Sequence, residues 1–312
     1  MFYHIIDHNG FGTMHKLITP LCKEGSIHKI VSYDNIYELK NIMQDEEAHI
    51  IIHSTASKKS NFIHEFLNYF KNRSVYIFMH VSVNYELYKG RGDVIEYLKY
   101  LTDNYHVTVL TPSKEVTNQY RNCGVKSKTI QLGIDMSNKE LYYADNSLLA
   151  PYYNRIITTC SSDNDEYKYI KGIDLYERFI FDNNLLDLSL IAGTDNSRNT
   201  RITCKRFEEK DFLNILAHSL MYVQFSRFES YNITASYAKL LRKPVLLLNT
   251  EGSYSCMNGL VYDDANVLTR EALNILRRGP DNKLICNLYN DSLRKESIEN
   301  FSSEFQKVIG GR

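Results

Sequence analysis

Glu229 sits where a short apolar run, Leu220–Phe225, gives way to a polar turn and then to a helix-like stretch, Asn232–Leu241. A carboxylate in such a turn can accept hydrogen bonds from sugar hydroxyls. The N–H groups of the helix start at Asn232, Ile233 and Thr234 favour a pyrophosphate, with Ser230 and Tyr231 joining the two. The plainer reading of Glu229 is an acid that complements the helix dipole. Lys171 stands where a loop after a strand enters a helix beginning at Gly172, so its ammonium would favour an anion there. A solvated lysine capping that helix would look the same. Gly10 and Gly12, in Asn9–Thr13, follow the first apolar run directly, and glycines there let backbone N–H groups approach a phosphate or sugar. With Asp34 about 20 residues on, they also begin a dinucleotide fingerprint, but His15 occupies the third glycine position and breaks it. His53 and His80 each end an apolar run, which puts them on the C-terminal edge where α/β sheets bind ligands. Either histidine could equally be a hydrogen-bonded edge residue. His64-Glu65 begins a zinc-protease pattern that Asn68 breaks, and Asp163-Asn164-Asp165 reads as an acidic loop. No metal site and no cofactor are expected.

These residues need a frame of alternating strands and helices, and the chain provides one. In the first half, apolar runs at Phe2–Asp7, Lys29–Tyr33, His49–His53, Val75–His80, His106–Thr111 and Lys128–Leu132 read as strands. Helical patterns lie between them near Tyr37–Gln44, Asn61–Phe70, Asp93–Asp103 and Lys114–Asn122. The polar stretch Met136–Pro151 interrupts the pattern, and Asn154–Thr159 restarts it, so a domain boundary is expected near residue 150. Helices follow near Gly172–Asn183, Asp211–Ala217 and Thr269–Arg277, with strands at Leu188–Ala192, Thr200–Phe207 and Leu260–Tyr262. A last amphipathic segment spans Asn290–Val308. The expected architecture is α/β: two Rossmann-like domains, residues 1–150 and 151–312, facing a cleft.

Composition narrows the classes of function. The 312 residues carry 37 acidic and 37 basic side chains, so no global field favours nucleic acid or anionic membrane. No run of 18 apolar residues occurs, and the N-terminus lacks the basic and apolar regions of a signal peptide. Six scattered cysteines without a Cys-x-x-Cys pair read as reduced thiols, which points to a cytoplasmic protein. The twenty-four tyrosines carry no functional message.

The stretch around Glu229 resembles the donor-site signature of retaining glycosyltransferases of the GT-B fold, especially family 4: Ser-x-x-Glu-x-Phe-Gly-(x)4-Glu-Ala-x-x-x-Gly-x-Pro-Val. Ser226, Glu229, Tyr231, Ala238, Pro244 and Val245 fit it, while Asn232, Tyr237 and Arg242 stand for Gly, Glu and Gly. Leu110-Thr111-Pro112-Ser113, Gln131–Asp135, Lys171-Gly172, Leu190–Gly193, Asn258–Val261 and Asn300-Phe301-Ser302 are similar to other family motifs in the same order. The resemblance implies a metal-independent hexosyltransferase that moves a sugar, with retention, from a nucleotide diphosphate (a UDP-sugar foremost) to an acceptor hydroxyl. It implies that Lys171 steadies the diphosphate, Glu229 binds the sugar, His80 faces it and Tyr237 takes the ribose position. It also implies a terminal helix that crosses back to the first domain. An acceptor glycan or lipid-linked sugar, met in the cytoplasm or at the inner membrane face, would serve surface-polysaccharide or glycoconjugate synthesis, with His53 a candidate acceptor contact. The family's Arg ahead of the Lys has no counterpart in Thr159–Lys168, and Tyr237 cannot make a carboxylate's bidentate contact. A degenerate GT-B module that binds a glycan, nucleotide or partner protein without catalysis is the alternative reading.

Overall fold

The computed structural model describes residues 1–6, 17–23, 25–32, 35–53, 63, 66–68, 73–135, 137, 139–195, 201–250 and 260–310. Two compact units emerge: Met1–Asp135 together with Lys295–Arg312, and Met136–Arg294. The division therefore falls ahead of the expected boundary at 150, and the last helix belongs to the first unit.

In the first unit the strands are β1 (Phe2–Ile6), β2 (His28–Ser32), β3 (His49–His53), β4 (Val75–Phe78), β5 (Val107–Thr111) and β6 (Ser127–Thr129). They form a parallel sheet in the order β2-β1-β3-β4-β5-β6. Helices α1 (Ile36–Gln44), α2 (Val83–Tyr88), α3 (Gly92–Asn104) and α4 (Lys114–Asn122) connect them. Central strands such as β4 are buried along their whole length, which is why they read as unbroken apolar runs. Ile50, Ile52, Ile77 and Val109 pack there with Leu98 and Leu101 of α3 and Val116 and Tyr120 of α4. Of the expected helix Asn61–Phe70, Ile63 and Phe66–Asn68 are described, and Ile63, Phe66 and Leu67 join this core.

The second unit repeats the plan with β7 (Ile156–Thr159), α5 (Asp165–Ile170), α6 (Ile173–Asp182), β8 (Ser189–Ala192), β9 (Thr203–Lys205), α7 (Glu209–Ala217), β10 (Met221–Gln224), α8 (Ile233–Leu240), β11 (Val245–Leu248), β12 (Val261–Tyr262), α9 (Ala265–Arg278) and α10 (Asn282–Lys295). Its parallel sheet runs β12-β11-β10-β7-β8-β9. The order reverses between β7 and β10, and the crevice beyond the carboxyl ends of those two strands is where such sheets hold ligands.

Three local readings are corrected. The acidic loop at Asp163–Asp165 instead starts α5, with Asn164 as its cap, so Lys171 follows a helix rather than a strand loop. Of the expected strand Thr200–Phe207, Thr200 lies outside the described residues and the strand spans Thr203–Lys205. The segment Asn290–Val308 is not one helix: α10 ends at Lys295, and α11 (Ile298–Ile309) starts afresh from Ser297, whose side chain accepts from the Asn300 N–H. The return of α11 to the first unit rests on Gly133. A Cβ there would lie 2.4 Å from the Ser297 carbonyl oxygen. Beside it the Ile134 N–H donates to the Glu296 carbonyl at 2.9 Å.

Candidate functional site

At the carboxyl ends of β7 and β10 the second unit brings together Lys171 and Glu229, fifty-eight residues apart in sequence. Lys171 Nζ lies 2.7 Å from Glu229 Oε2, with side-chain exposures of 19% and 13%. Burial pushes the lysine pKa down, but the Glu229 carboxylate, aided by Tyr167, outweighs it and holds the ammonium above its usual range. The Tyr167 ring lies beneath it, 5.8 Å from centroid to Nζ.

A polar residue that sequence reasoning passed over sets both members. Gln224 ends β10 almost fully buried, at 2% exposure. Its Nε2 donates to the Lys171 carbonyl and to Ser226 Oγ, both at 2.9 Å. Its Oε1 accepts from the Tyr222 hydroxyl at 2.7 Å and from Thr159 Oγ1 at 3.1 Å. One buried amide thus ties β7, the Lys171 loop and the Glu229 turn together, with its donors and acceptor satisfied. Burial, partly offset by the hydrogen bonds of Thr159 and Asn232, pushes the Tyr222 phenol up to about 12, so it stays neutral. A lone Gln closing the apolar run Met221–Val223 was the available signal.

Gly172 lets the Lys171 loop pass under the end of β10. Its φ is +67, and a Cβ would lie 2.0 Å from the Phe225 carbonyl oxygen. Arg227 then fastens the turn from outside. Its N–H donates to the Ile170 carbonyl at 2.8 Å, and its guanidinium grips Asp174 through two bonds of 2.7 and 2.8 Å. The same guanidinium stacks on Tyr169 at 3.9 Å. Hydrogen bonding from Arg227 holds the Asp174 carboxyl below its usual range. Arg227 thus clamps the turn to α5 and α6.

The remaining candidates divide between the two units. Ser230 lies in the turn beside Glu229. Asn232 caps α8 by accepting from the Ala235 N–H at 2.9 Å, with Ile233 and Thr234 forming the first turn. Tyr231 points inward, its hydroxyl 3.2 Å from Ser236 Oγ. Tyr237 stands one turn along α8, its hydroxyl 3.5 Å from Glu209 Oε1. A cavity of about 230 Å³ is lined by residues of α5 and α6 with Cys160, Ile191, Thr194 and Cys204, and neither Lys171 nor Glu229 lines it. His53 and His80 belong to the first unit, where His53 Nδ1 and His80 Nε2 lie 3.2 Å apart. Gly10 and Gly12 fall outside the described residues.

No protein-family profile matches the chain, and no curated protein matches it. Solved structures do. The Anabaena protein HepE in complex with UDP matches with a TM-score of 0.73 at 10% identity, covering 100% of both chains. Its complex with UDP-glucose matches at 0.70 and 11% identity, covering 100% of this chain and 99% of that one. An α,α-trehalose-6-phosphate synthase from Burkholderia multivorans matches at 0.63 and 12% identity, over 88% of this chain and 72% of that one. The chain thus has the fold of GT-B glycosyltransferases, two parallel-sheet α/β domains. Identities this low carry the fold and nothing finer. Among the described residues no helix is long and apolar enough to cross a membrane.

Proposed function

We propose that the second unit binds a nucleotide-diphosphate sugar, a UDP-sugar first, and that the protein transfers the sugar to an acceptor hydroxyl. The observation that carries this reading is the Lys171–Glu229 pair at the switch point of the second sheet. The similarity to folds holding UDP and UDP-glucose supports it. An incoming diphosphate, with about two negative charges, competes with Glu229 for the Lys171 ammonium. Glu229, released from that contact, then accepts hydrogen bonds from the sugar. The start of α8 adds its N–H groups to the same charge. Retention at the anomeric carbon, hexosyl transfer without a metal ion, and a cytoplasmic role in polysaccharide or glycoconjugate synthesis complete the proposal. In it the acceptor attacks the face that the diphosphate leaves, and the departing phosphate takes the acceptor's proton.

The second reading is a binding module without catalysis. Tyr237 in hydrogen-bond contact with Glu209, and an Arg227 engaged by Asp174, favour it. Incubation with UDP-, GDP- and ADP-sugars, read by mass spectrometry for released nucleoside diphosphate, separates the two. Turnover of one donor, lost at least about 100-fold in Glu229→Gln, supports transfer. Binding without turnover supports a nucleotide-binding module, and neither binding nor turnover overturns transfer in favour of a module for a glycan or partner protein.

A further inference from the structure

The first unit contains a file of four histidines, His28, His4, His53 and His80. His4 Nε2 lies 3.0 Å from His28 Nδ1, His4 Nδ1 lies 2.9 Å from His53 Nε2, and His53 Nδ1 lies 3.2 Å from His80 Nε2. At the far end His28 Nε2 meets Ser302 Oγ of α11 at 3.0 Å. The strand register explains the file. His28 is opposite Phe2, two residues before His4. Ile5 is opposite Ile52, which puts His53 beside Ile6, two residues after His4. Phe78 is opposite His53, two residues before His80. Steps of two keep every ring on one face, so the file crosses β2, β1, β3 and β4 diagonally towards the C-terminal edge.

The file is sealed. His4, His53 and His28 are 0%, 0% and 2% exposed. Phe305 packs edge-on against His4 at 5.2 Å and His28 at 5.5 Å, while Phe78 stacks on His53 and His80. Burial is the main reason all four rings stay neutral: His28 falls to about 4, His53 to about 3, and His4 and His80 lie well below the usual value. The rings form a line, not a cage; among the described residues no three His, Cys, Asp or Glu side chains converge as metal ligands.

A neutral imidazole has one N–H and one lone pair, and each bond in the file needs one hydrogen. Hydrogen on Nε2 of His28 therefore requires Nε2–H on His4, His53 and His80, with Ser302 accepting. Hydrogen on Nδ1 of any ring requires it on all four, with Ser302 donating. A mixed pattern would put two hydrogens, or none, between some pair of nitrogens.

We propose that His80, His53, His4, His28 and Ser302 form a proton relay through the first unit, from the C-terminal edge of the sheet to α11. A proton bonds to His80 Nδ1, and His80 passes its Nε2 hydrogen to His53 Nδ1. His53 and His4 each pass on their Nε2 hydrogen in turn. His28 gives its own to Ser302 Oγ as the serine hydrogen leaves to water. One proton enters, one leaves, and every ring is neutral before and after. Ser302 acts on His80 through three other rings, as a positioning residue.

The test is nuclear magnetic resonance of the full-length protein with ¹⁵N-labelled histidine at pH 7, which reads the protonated nitrogen of each ring. The relay predicts four neutral rings sharing one protonated nitrogen. It also predicts a changed tautomer balance at His80 in Ser302→Ala, a response abolished when His4→Phe is added. Should the His4→Phe protein not fold, Ser302→Ala alone decides. Mixed tautomers, a cationic ring, or a His80 signal indifferent to Ser302→Ala would overturn the relay.

Discussion

Lys171 and Glu229 illustrate how far a residue's chemistry follows from its neighbours. An acid on an exposed turn, as Glu229 reads from the sequence, is nearly neutral for stability. The structure instead pairs it with a mostly buried ammonium at 2.7 Å. Removing the carboxylate leaves that ammonium uncompensated, so Glu229→Ala should cost about 1–3 kcal/mol, above the roughly 1 kcal/mol of an exposed site. The pair also means that the stability effects of substituting the two residues are coupled. A double-mutant cycle of Lys171→Met and Glu229→Gln, followed by urea unfolding, should give a coupling of about 0.5–3 kcal/mol. Additive effects would mean that the contact contributes nothing. Sequence reading found both residues but not their contact, because nothing in the spacing of positions 171 and 229 reveals that β7 and β10 are neighbours. It passed over Gln224 because a lone Gln closing an apolar run does not reveal its partners, Tyr222, Thr159 and the Lys171 carbonyl.

At the scale of elements, long apolar periodicities were legible and short helices were not. The α4 helix has the bounds read from the sequence, because Ser113 caps it and Val116 and Tyr120 recur on one face. Helices α2 and α5 were missed. Each has six residues, too few for a period, although Ser82 and Asn164 mark their starts by accepting hydrogen bonds from the N–H groups three residues on. The break between α10 and α11 carried a similar signal at Ser297. The turn between α5 and α6 is the element on which the site depends most. Gly172→Ala forces a left-handed residue to carry a Cβ 2.0 Å from a backbone oxygen. It should destabilise the protein by about 3 kcal/mol or more and displace Lys171. Asn232→Ala removes the cap of α8 and the contact with the Tyr222 hydroxyl, and should cost about 1–2 kcal/mol. Thermal unfolding of the two variants checks the order, and equal losses would contradict it.

The whole molecule combines a readable frame with two polar systems that only the fold assembles. Parallel sheets of continuous apolar strands announced the architecture, and the division at Asp135 with the return of α11 completes it. The histidine file belongs to the molecule's pH response. His28 and His53 titrate near 4 and 3 in the folded protein, against about 6.5 unfolded. Above pH 6.5 both states leave these rings neutral. As pH falls below 6.5 the unfolded chain takes up protons that the folded chain refuses, so stability declines towards pH 4. The two rings alone should remove roughly 2 kcal/mol between pH 6.5 and 5.5. Urea unfolding at those two pH values measures it, and unchanged stability would show that the rings are not held neutral. The central claim, that the Lys171 turn receives a nucleotide diphosphate, is tested most directly by calorimetric titration of UDP and UDP-glucose. The account predicts that the protein binds UDP and that Lys171→Met weakens it at least about tenfold, or 1.4 kcal/mol. It also predicts that Glu229→Gln spares UDP while losing the extra affinity for UDP-glucose. No heat with UDP, GDP or ADP, or wild-type affinity in Lys171→Met, would contradict it.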